Sequence, residues 1–145
     1  MVTRRTHVAE EGAILSLPEI DLGAAPMWSG AGRVLRLVGR ARALELLLLG
    51  EKIPASKALE FGLVNQTFLA DEFEQQLSEL AQTFAEKAPL AMAAIIRVVN
   101  YSQDAPLAEA LEFEHKEFAP LAETQDIIEG VTALFEKRKP VFKGE

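Results

Sequence analysis

The chain has 145 residues, of which 49% are hydrophobic and 26% charged, a composition typical of one globular domain. It contains no cysteine, which excludes a disulfide framework, a thiolate zinc site and a thiol nucleophile. Its longest leucine run, Leu46 to Leu49, falls far short of the roughly 20 apolar residues that a membrane span needs. We recognise no targeting signal, and we therefore expect a cytoplasmic protein that does not enter a membrane.

The net charge of −7 is unevenly distributed along the chain. Residues 43–136 hold five basic and seventeen acidic side chains, whereas residues 137–143 hold four basic ones. An acidic body disfavours nucleic acid as a partner, because affinity there comes largely from neutralising phosphates. Residues 1–42 also hold more basic than acidic side chains, six against four. These two basic ends could hold a small phosphorylated ligand, and the alternative is that they are solvated patches.

Residues 1–38 differ in pattern from the rest of the chain. Residues 7–9 and 13–17 predict two short strands around a turn at Glu11 and Gly12, followed by a loop rich in Gly and Ala. Two strands alone are marginal in water, so they need more sheet or a helical cover.

From Arg40 onward, apolar periodicity and punctuation by Pro and Gly predict mainly helices. The predicted helices are Arg40–Leu49 ending at Gly50, Ala55–Phe61, one opening at Asp71, Ala91–Val99 packed on two sides, one after Pro106, and a last one around Ile127–Phe135. In the helix after Pro106, we expect Leu107, Leu111 and Phe118 to face inward. Thr124 is the candidate N-cap of the last helix, and residues 63–68 predict a brief strand or an extended link.

Several stretches, in order, resemble the crotonase (enoyl-CoA hydratase/isomerase) family. They are Leu17–Gly23, Arg36–Glu45, Gly50–Ala55, Phe61–Asn65, Thr124–Asp126 with Glu129 and Gly130, and Phe135–Gly144. No single motif among them is specific, but their order along the chain makes chance an unsatisfactory explanation. The likeness runs from about His7 to the last residue without a gap.

The resemblance implies an α/β crotonase-like (ClpP/crotonase) fold, of which this chain would be the C-terminal portion, mostly helical with a few short N-terminal strands. Residues 1–38 would be the remnant of the ββα core with the active-site loop. Residues 39–145 would be the helical region, including the helices that assemble trimers or hexamers, within one structural domain overall.

The family's chemistry implies the substrate class. Its members bind acyl-CoA thioesters and stabilise a thioester enolate with two backbone N–H groups, and coenzyme A is part of the substrate, with no metal and no further cofactor. Both N–H donors come from segments preceding the part that this chain resembles. We therefore expect the chain by itself to be inactive or very weak.

Glu19 matches the glutamate of the family's Pro-Glu motif and is the one catalytic position of the family that we find here. A carboxylate held at a strand-to-loop junction beside Pro18 can move a proton to or from the carbon next to a thioester. The alternative is that Glu19 is an ordinary loop carboxylate.

The loop that follows departs from the family pattern Pro-Gly-x-Gly-Gly-Thr-Gln-Arg-Leu. It places Met27, Trp28 and Ser29 at positions where small residues are usual. We expect Met27 and Trp28 to bind substrate, with Trp28 narrowing or lining an acyl pocket for a bulky or cyclic group. The alternative for Trp28 is a subunit contact. Met27 stands where dienoyl-CoA isomerases of the family carry an aspartate, which disfavours that subclass.

Lys137 matches a lysine that lies near the adenine end of coenzyme A in family members. A mobile ammonium group is a suitable contact for a phosphate, and the alternative is a solvated cationic tail. Taken together, the residues predict an enzyme acting on an acyl-CoA, and hydratase and isomerase activity both remain open. The alternative is a non-catalytic crotonase fragment that serves as a self-association or docking module.

Overall fold

The computed structural model describes residues 6–27 and 30–145. The strands are β1 (Val8–Glu10), β2 (Ile14–Leu15), β3 (Ile53–Pro54) and β4 (Gln66–Phe68), and the helices are α1 (Gly30–Leu49), α2 (Ala55–Glu60), α3 (Phe73–Ala85), α4 (Pro89–Ser102), α5 (Leu107–Phe118) and α6 (Gln125–Glu136). Two 3₁₀ helices, Pro18–Leu22 and Ala119–Glu123, precede α1 and α6. The predicted mostly helical chain with a few short strands is confirmed. Within the described ranges, no helix combines the length and apolar character needed to cross a membrane.

The chain divides into two compact units, Met1–Ser78 and Glu79–Glu145. The boundary lies within α3. The boundary expected between residues 38 and 39 lies within α1, next to a kink at Gly39, which has φ 76° and ψ 170°. The roles expected for the segments on either side of it stay predictions.

In the first unit, each strand predicted near the N-terminus pairs with a strand from after α1. β1 runs parallel to β4, with Ala9 opposite Thr67, and β2 runs antiparallel to β3, with Leu15 opposite Ile53. The two early strands do not pair with each other, although they flank the predicted turn. Each two- or three-residue strand is too short for a stable hairpin, so it gains its stability from pairing beyond α1.

The core of the first unit is built by α1, α2 and the segments that flank α2. Its buried members are Val34, Ala43, Leu46, Ile53, Ala58, Phe61 and Val64. Two cationic side chains lie over the ring of Phe61. The Arg42 guanidinium carbon is 4.6 Å and the Lys57 ammonium nitrogen 5.2 Å from the ring centroid. Apolar burial and cation–π attraction therefore act on the same side chain.

The loop predicted up to residue 38 is wrong for residues 30–38, which form the first part of α1. Val34 is buried in the core and Val38 packs against it, four residues further on the same helix face. The glycines in this stretch made a loop the favoured prediction, but the packing of these two valines outweighs the low helix propensity of glycine.

The second unit contains an antiparallel hairpin of α4 and α5. The rings of Tyr101 and Phe113 stack at a centroid distance of 4.2 Å, and Arg97 Nε lies 2.6 Å from Glu117 Oε2. Ala94, Val98 and Ala110 are the buried residues of the two helices.

Two expectations for this hairpin are wrong. Leu107 and Leu111 are exposed, because α5 turns the neighbouring stripe with Ala110 and Phe113 toward α4, and only Phe118 is partly buried. Within the described residues, α4 does not pack on two sides, since Ile95, Ile96 and Val99 are exposed.

The second unit ends in a tail, residues 137–145, that is tied to α6. Thr124 is the N-cap of α6, as predicted, and its hydroxyl accepts a hydrogen bond from the Ile127 N–H at 3.3 Å. The buried Asp126 accepts hydrogen bonds from the backbone N–H groups of Lys143 (2.8 Å) and Gly144 (3.0 Å). The carboxylate thus fixes the far end of the tail against the start of the helix.

A second carboxylate of α6 fixes the beginning of the tail. Arg138 binds Glu129 through two parallel hydrogen bonds of 2.6 and 2.8 Å, and the Val141 N–H donates to Glu129 at 2.8 Å. The hydrogen bonds from Arg138, followed by the one from Val141, lower the pKa of Glu129 from 4.5 to about 2. The same pair raises the pKa of Arg138, so the guanidinium stays charged.

Gly39→Ala should destabilise the first unit by about 1–3 kcal/mol, because the kink requires a backbone conformation that only glycine adopts readily. A Cβ atom at Gly39 would meet nothing within 4 Å, so the effect isolates backbone strain. Gly32→Ala, at an ordinary position of the same helix, is the control and should be neutral or slightly stabilising. Urea denaturation measures both variants, and equal free energies of unfolding would contradict the kink.

The pKa of Glu129 predicts a loss of stability in acid. Because this pKa is lower in the folded chain than the ordinary value of 4.5, the stabilisation is complete above about pH 4.5 and disappears as the pH falls toward 2. Glu129→Gln should therefore be less stable than the unaltered chain at pH 7, and the difference should shrink at pH 2.5. Glu112→Gln, on the exposed side of α5, is the control for urea unfolding at both pH values. A difference that does not change with pH would show that the ion pair contributes nothing.

Candidate active site

Glu19 lies on the short 3₁₀ helix Pro18–Leu22, between β2 and α1. Pro18 begins this helix, where its missing N–H leaves no bond unmade. Beyond it the chain turns at Gly23, and the Ala24 N–H donates to the backbone carbonyl of Glu19 at 3.0 Å. The backbone before Glu19 is therefore restricted by the proline ring of Pro18, and the backbone after it is fixed by hydrogen bonds.

Gly50, directly after α1, sets how closely this 3₁₀ helix approaches α1. It has φ +62°, and a Cβ atom there would lie 3.0 Å from Ile20 Cγ2, 3.3 Å from Asp21 Oδ2 and 3.5 Å from Pro18 Cα. The predicted role of Gly50 at the end of the helix is confirmed, since its N–H donates to the Leu46 carbonyl at 3.3 Å. Because Gly50 has no Cβ atom, Ile20 and Asp21, which follow Glu19, can pack closely against the end of α1.

The Glu19 carboxylate has one oxygen in an unusual state. Oε2 is buried and lacks a hydrogen-bond partner, and it is the one buried side-chain oxygen or nitrogen atom in this state among the described residues. A buried acceptor without a donor is costly in free energy, so such atoms are rare in folded proteins. This oxygen can accept a hydrogen bond from a group that is not among the described residues.

Large apolar side chains are exposed on the same segment as Glu19. Leu22 is 81% exposed, Met27 is 73% exposed and Ile20 is exposed to a smaller extent. Met27 is therefore accessible to a ligand, whereas Trp28 lies outside the described residues, so the role predicted for each stays a prediction. The exposure of Leu22 was not predicted from the sequence, because a leucine on a short helix can be buried as readily as exposed.

Lys137, the third predicted binding position, lies in the second unit at the C-terminal end of α6. It has φ 54° and ψ 39°, the left-handed conformation, and is the one non-glycine residue with positive φ in the described ranges. Its N–H donates to the Leu134 carbonyl at 3.3 Å and the Arg138 N–H donates to the Ala133 carbonyl at 3.0 Å. These bonds form a Schellman-type helix end with lysine where glycine is usual.

The first unit thus brings Glu19 and Met27 onto one segment, and Lys137 belongs to the second unit. Glu129 and Arg138 organise the surroundings of Lys137. In the sequence they belong only to segments that carry the family resemblance, and no pattern there predicts that they interact. Their spacing of nine residues across a helix end gives no recognisable signal. Among the described residues, no three His, Cys, Asp or Glu side chains are grouped so that they could hold a metal ion.

The chain is similar in sequence to a known family and to curated proteins of named function. The family model of enoyl-CoA hydratase/isomerase matches residues 5–145. A probable enoyl-CoA hydratase of Bacillus subtilis is 41% identical over 96% of this chain and 54% of its own length. The 2,3-dehydroadipyl-CoA hydratase of Escherichia coli is 39% identical over 94% of this chain and 54% of its own length.

The structural comparison agrees with the sequence comparison. The enoyl-CoA hydratase of Bacillus anthracis superimposes with a TM-score of 0.93 at 33% identity, covering 97% of this chain and 54% of that one. The chain spans about half the length of the curated relatives that it matches. With the family model matching nearly all of its residues, this chain belongs to the enoyl-CoA hydratase/isomerase family.

Proposed function

We propose that this chain contributes to enolate chemistry on an acyl-CoA thioester, with Glu19 as the general acid or base. The buried Oε2 atom of Glu19, which has no hydrogen-bond partner among the described residues, is the observation that carries the proposal. An acceptor left open in this way is available for a proton on the substrate or on a water molecule. The names of the curated relatives, several of which specify a CoA thioester, support the substrate class.

Glu19 would exchange a proton with the carbon next to the thioester carbonyl. When that carbon gives its proton to the carboxylate, the electron pair of the C–H bond passes into the thioester as an enolate. In the reverse direction, the protonated carboxyl returns the proton to the same carbon. We propose that no metal or further cofactor takes part, because the family resemblance assigns stabilisation of the enolate oxygen to backbone N–H groups.

The apolar side chains beside Glu19 would contact the acyl part of the substrate. Met27 and Leu22 are large, unbranched at Cβ and mostly exposed, so they offer apolar surface at the edge of the segment that carries the carboxylate. We assign Trp28 to the same role on the basis of its place directly after Met27. Lys137 would contact a phosphate of the coenzyme A part.

A second proposal, self-association, rests on the surface of the α4–α5 hairpin. The buried residues of the hairpin are Ala94 and Val98 of α4 and Ala110 of α5. Ile95 and Val99 directly follow the first two, and Leu107 and Leu111 lie on either side of Ala110 in sequence. Because the helices are antiparallel, these positions fall on the same side of the hairpin. All four side chains are at least half exposed, and contiguous exposed apolar side chains are typical of an interface.

Glu19→Gln should lower turnover by about 10²- to 10⁴-fold without changing the fold, since the amide keeps the shape but cannot exchange a proton. The assay measures enoyl-CoA hydration by this chain combined with the part of the Bacillus subtilis relative that the chain does not match. Glu114→Gln, on α5, is the matched control and should leave the rate unchanged. An unchanged rate in Glu19→Gln would show that the chemistry lies elsewhere.

The pair Val99→Glu and Leu111→Glu should weaken self-association, because charges on the apolar hairpin face would have to be buried without partners. Sedimentation velocity at tens of micromolar should show oligomers for the unaltered chain and a shift toward monomer for the double variant. Lys116→Glu, on the opposite side of α5, changes the charge without touching the apolar face and serves as the control. A monomeric unaltered chain would contradict the proposal.

A further inference from the structure

Lys137 differs from the other cations of the tail, residues 137–145, in that no described carboxylate is paired with it. Arg138 binds Glu129 and Glu136, Lys139 Nζ lies 2.5 Å from Glu86 Oε2, and Lys143 Nζ lies 3.9 Å from Glu145 Oε1. Lys137 is exposed, and none of the ion pairs among the described residues includes it. Its ammonium group is therefore available to an external anion without first giving up a carboxylate among the described residues.

The backbone of Lys137 is also in a conformation that lysine does not prefer. The left-handed region brings Cβ close to a carbonyl oxygen, and only glycine enters it freely. A non-glycine residue persists there when its surroundings hold it, and such residues are frequent at functional sites. Arg138, the next residue, keeps Lys137 in this conformation.

Arg138 is anchored on both sides of the helix end. Its two parallel bonds to Glu129 reach back by nine residues, and its Nε donates to Glu136 Oε2 at 2.6 Å. Glu129 also accepts the Val141 N–H, so the chain is fixed three residues further along as well. With Arg138 and Val141 both held by one carboxylate, Lys137 cannot leave the left-handed conformation without breaking these bonds.

We propose that Glu129 and Arg138 are positioning residues, which hold Lys137 in its left-handed conformation and keep its ammonium group available to a phosphate of a CoA-type ligand. The phosphate part of this inference rests on the proposed function. Glu129 and Arg138 themselves do not touch the ligand, since their charges are already paired. Removing Glu129 should therefore weaken anion binding, although deleting a negative charge would by simple attraction strengthen it.

Calorimetric titration of the full chain with coenzyme A tests whether removing Glu129 weakens or strengthens binding of the anion. Lys137→Gly should weaken binding at least about tenfold, as expected for loss of a hydrogen bond to a charged group, and Glu129→Gln should weaken it several-fold. Lys139→Ala removes a cation two residues away that is already paired, and it should change affinity less than twofold. Equal or tighter binding by Glu129→Gln would overturn the inference and leave the proposed function standing. An unchanged affinity in Lys137→Gly would overturn the inference together with the phosphate contact proposed for Lys137, and it would leave the role proposed for Glu19 standing.

A double-mutant cycle followed by thermal unfolding tests, without any ligand, whether Glu129 holds Lys137 in the left-handed conformation. Lys137→Gly should raise Tm by about 2–4 °C, since it relieves the strain. In the Glu129→Gln background the same substitution should raise Tm by clearly less, because Lys137 is then free to relax. Equal gains in both backgrounds would overturn the positioning role. Absence of coenzyme A binding by the unaltered chain would instead count against the proposed function and the phosphate contact of Lys137. The thermal unfolding experiment would still decide whether Glu129 holds Lys137 in the left-handed conformation.

Discussion

The geometry around Glu19 depends on the absence of a side chain at Gly50. The 3₁₀ helix that carries Glu19 lies against the end of α1, at a distance where a Cβ atom would come within 3.0 Å of Ile20. Gly50 meets a second requirement at the same point, because α1 ends there in a left-handed turn with φ +62°. One residue thus determines where the helix ends and how closely the candidate catalytic segment packs on it.

The two units use charge in different ways. In the first unit, Glu19 Oε2 is buried and has no hydrogen-bond partner among the described residues, a state that folding alone does not favour. In the second unit, Asp126 and Glu129 are fully engaged with backbone N–H groups and with Arg138, and they fix the tail onto α6. The contrast separates a carboxylate available to a ligand from carboxylates that stabilise the chain.

The exposed apolar residues of the helices fit a chain that spans about half the length of its relatives. Ile95, Val99 and Leu111 would be unfavourable on a surface that stayed in water. We propose that a second copy of the chain covers them.

The sequence by itself determined the family, through the order of several motifs along the chain. It also determined the position of Glu19, the predominance of helix, the end of α1 at Gly50 and the start of α6 at Thr124, because these depend on local chemistry. A cap, a glycine turn or a motif requires only a few neighbouring residues. Tertiary structure alone decided the pairing of β1 with β4, the helix over residues 30–38, the exposure of Leu107 and Leu111, and the ion pair of Glu129 with Arg138. These features depend on which surfaces meet, and an apolar stripe indicates that a helix face can be buried without specifying the partner that buries it.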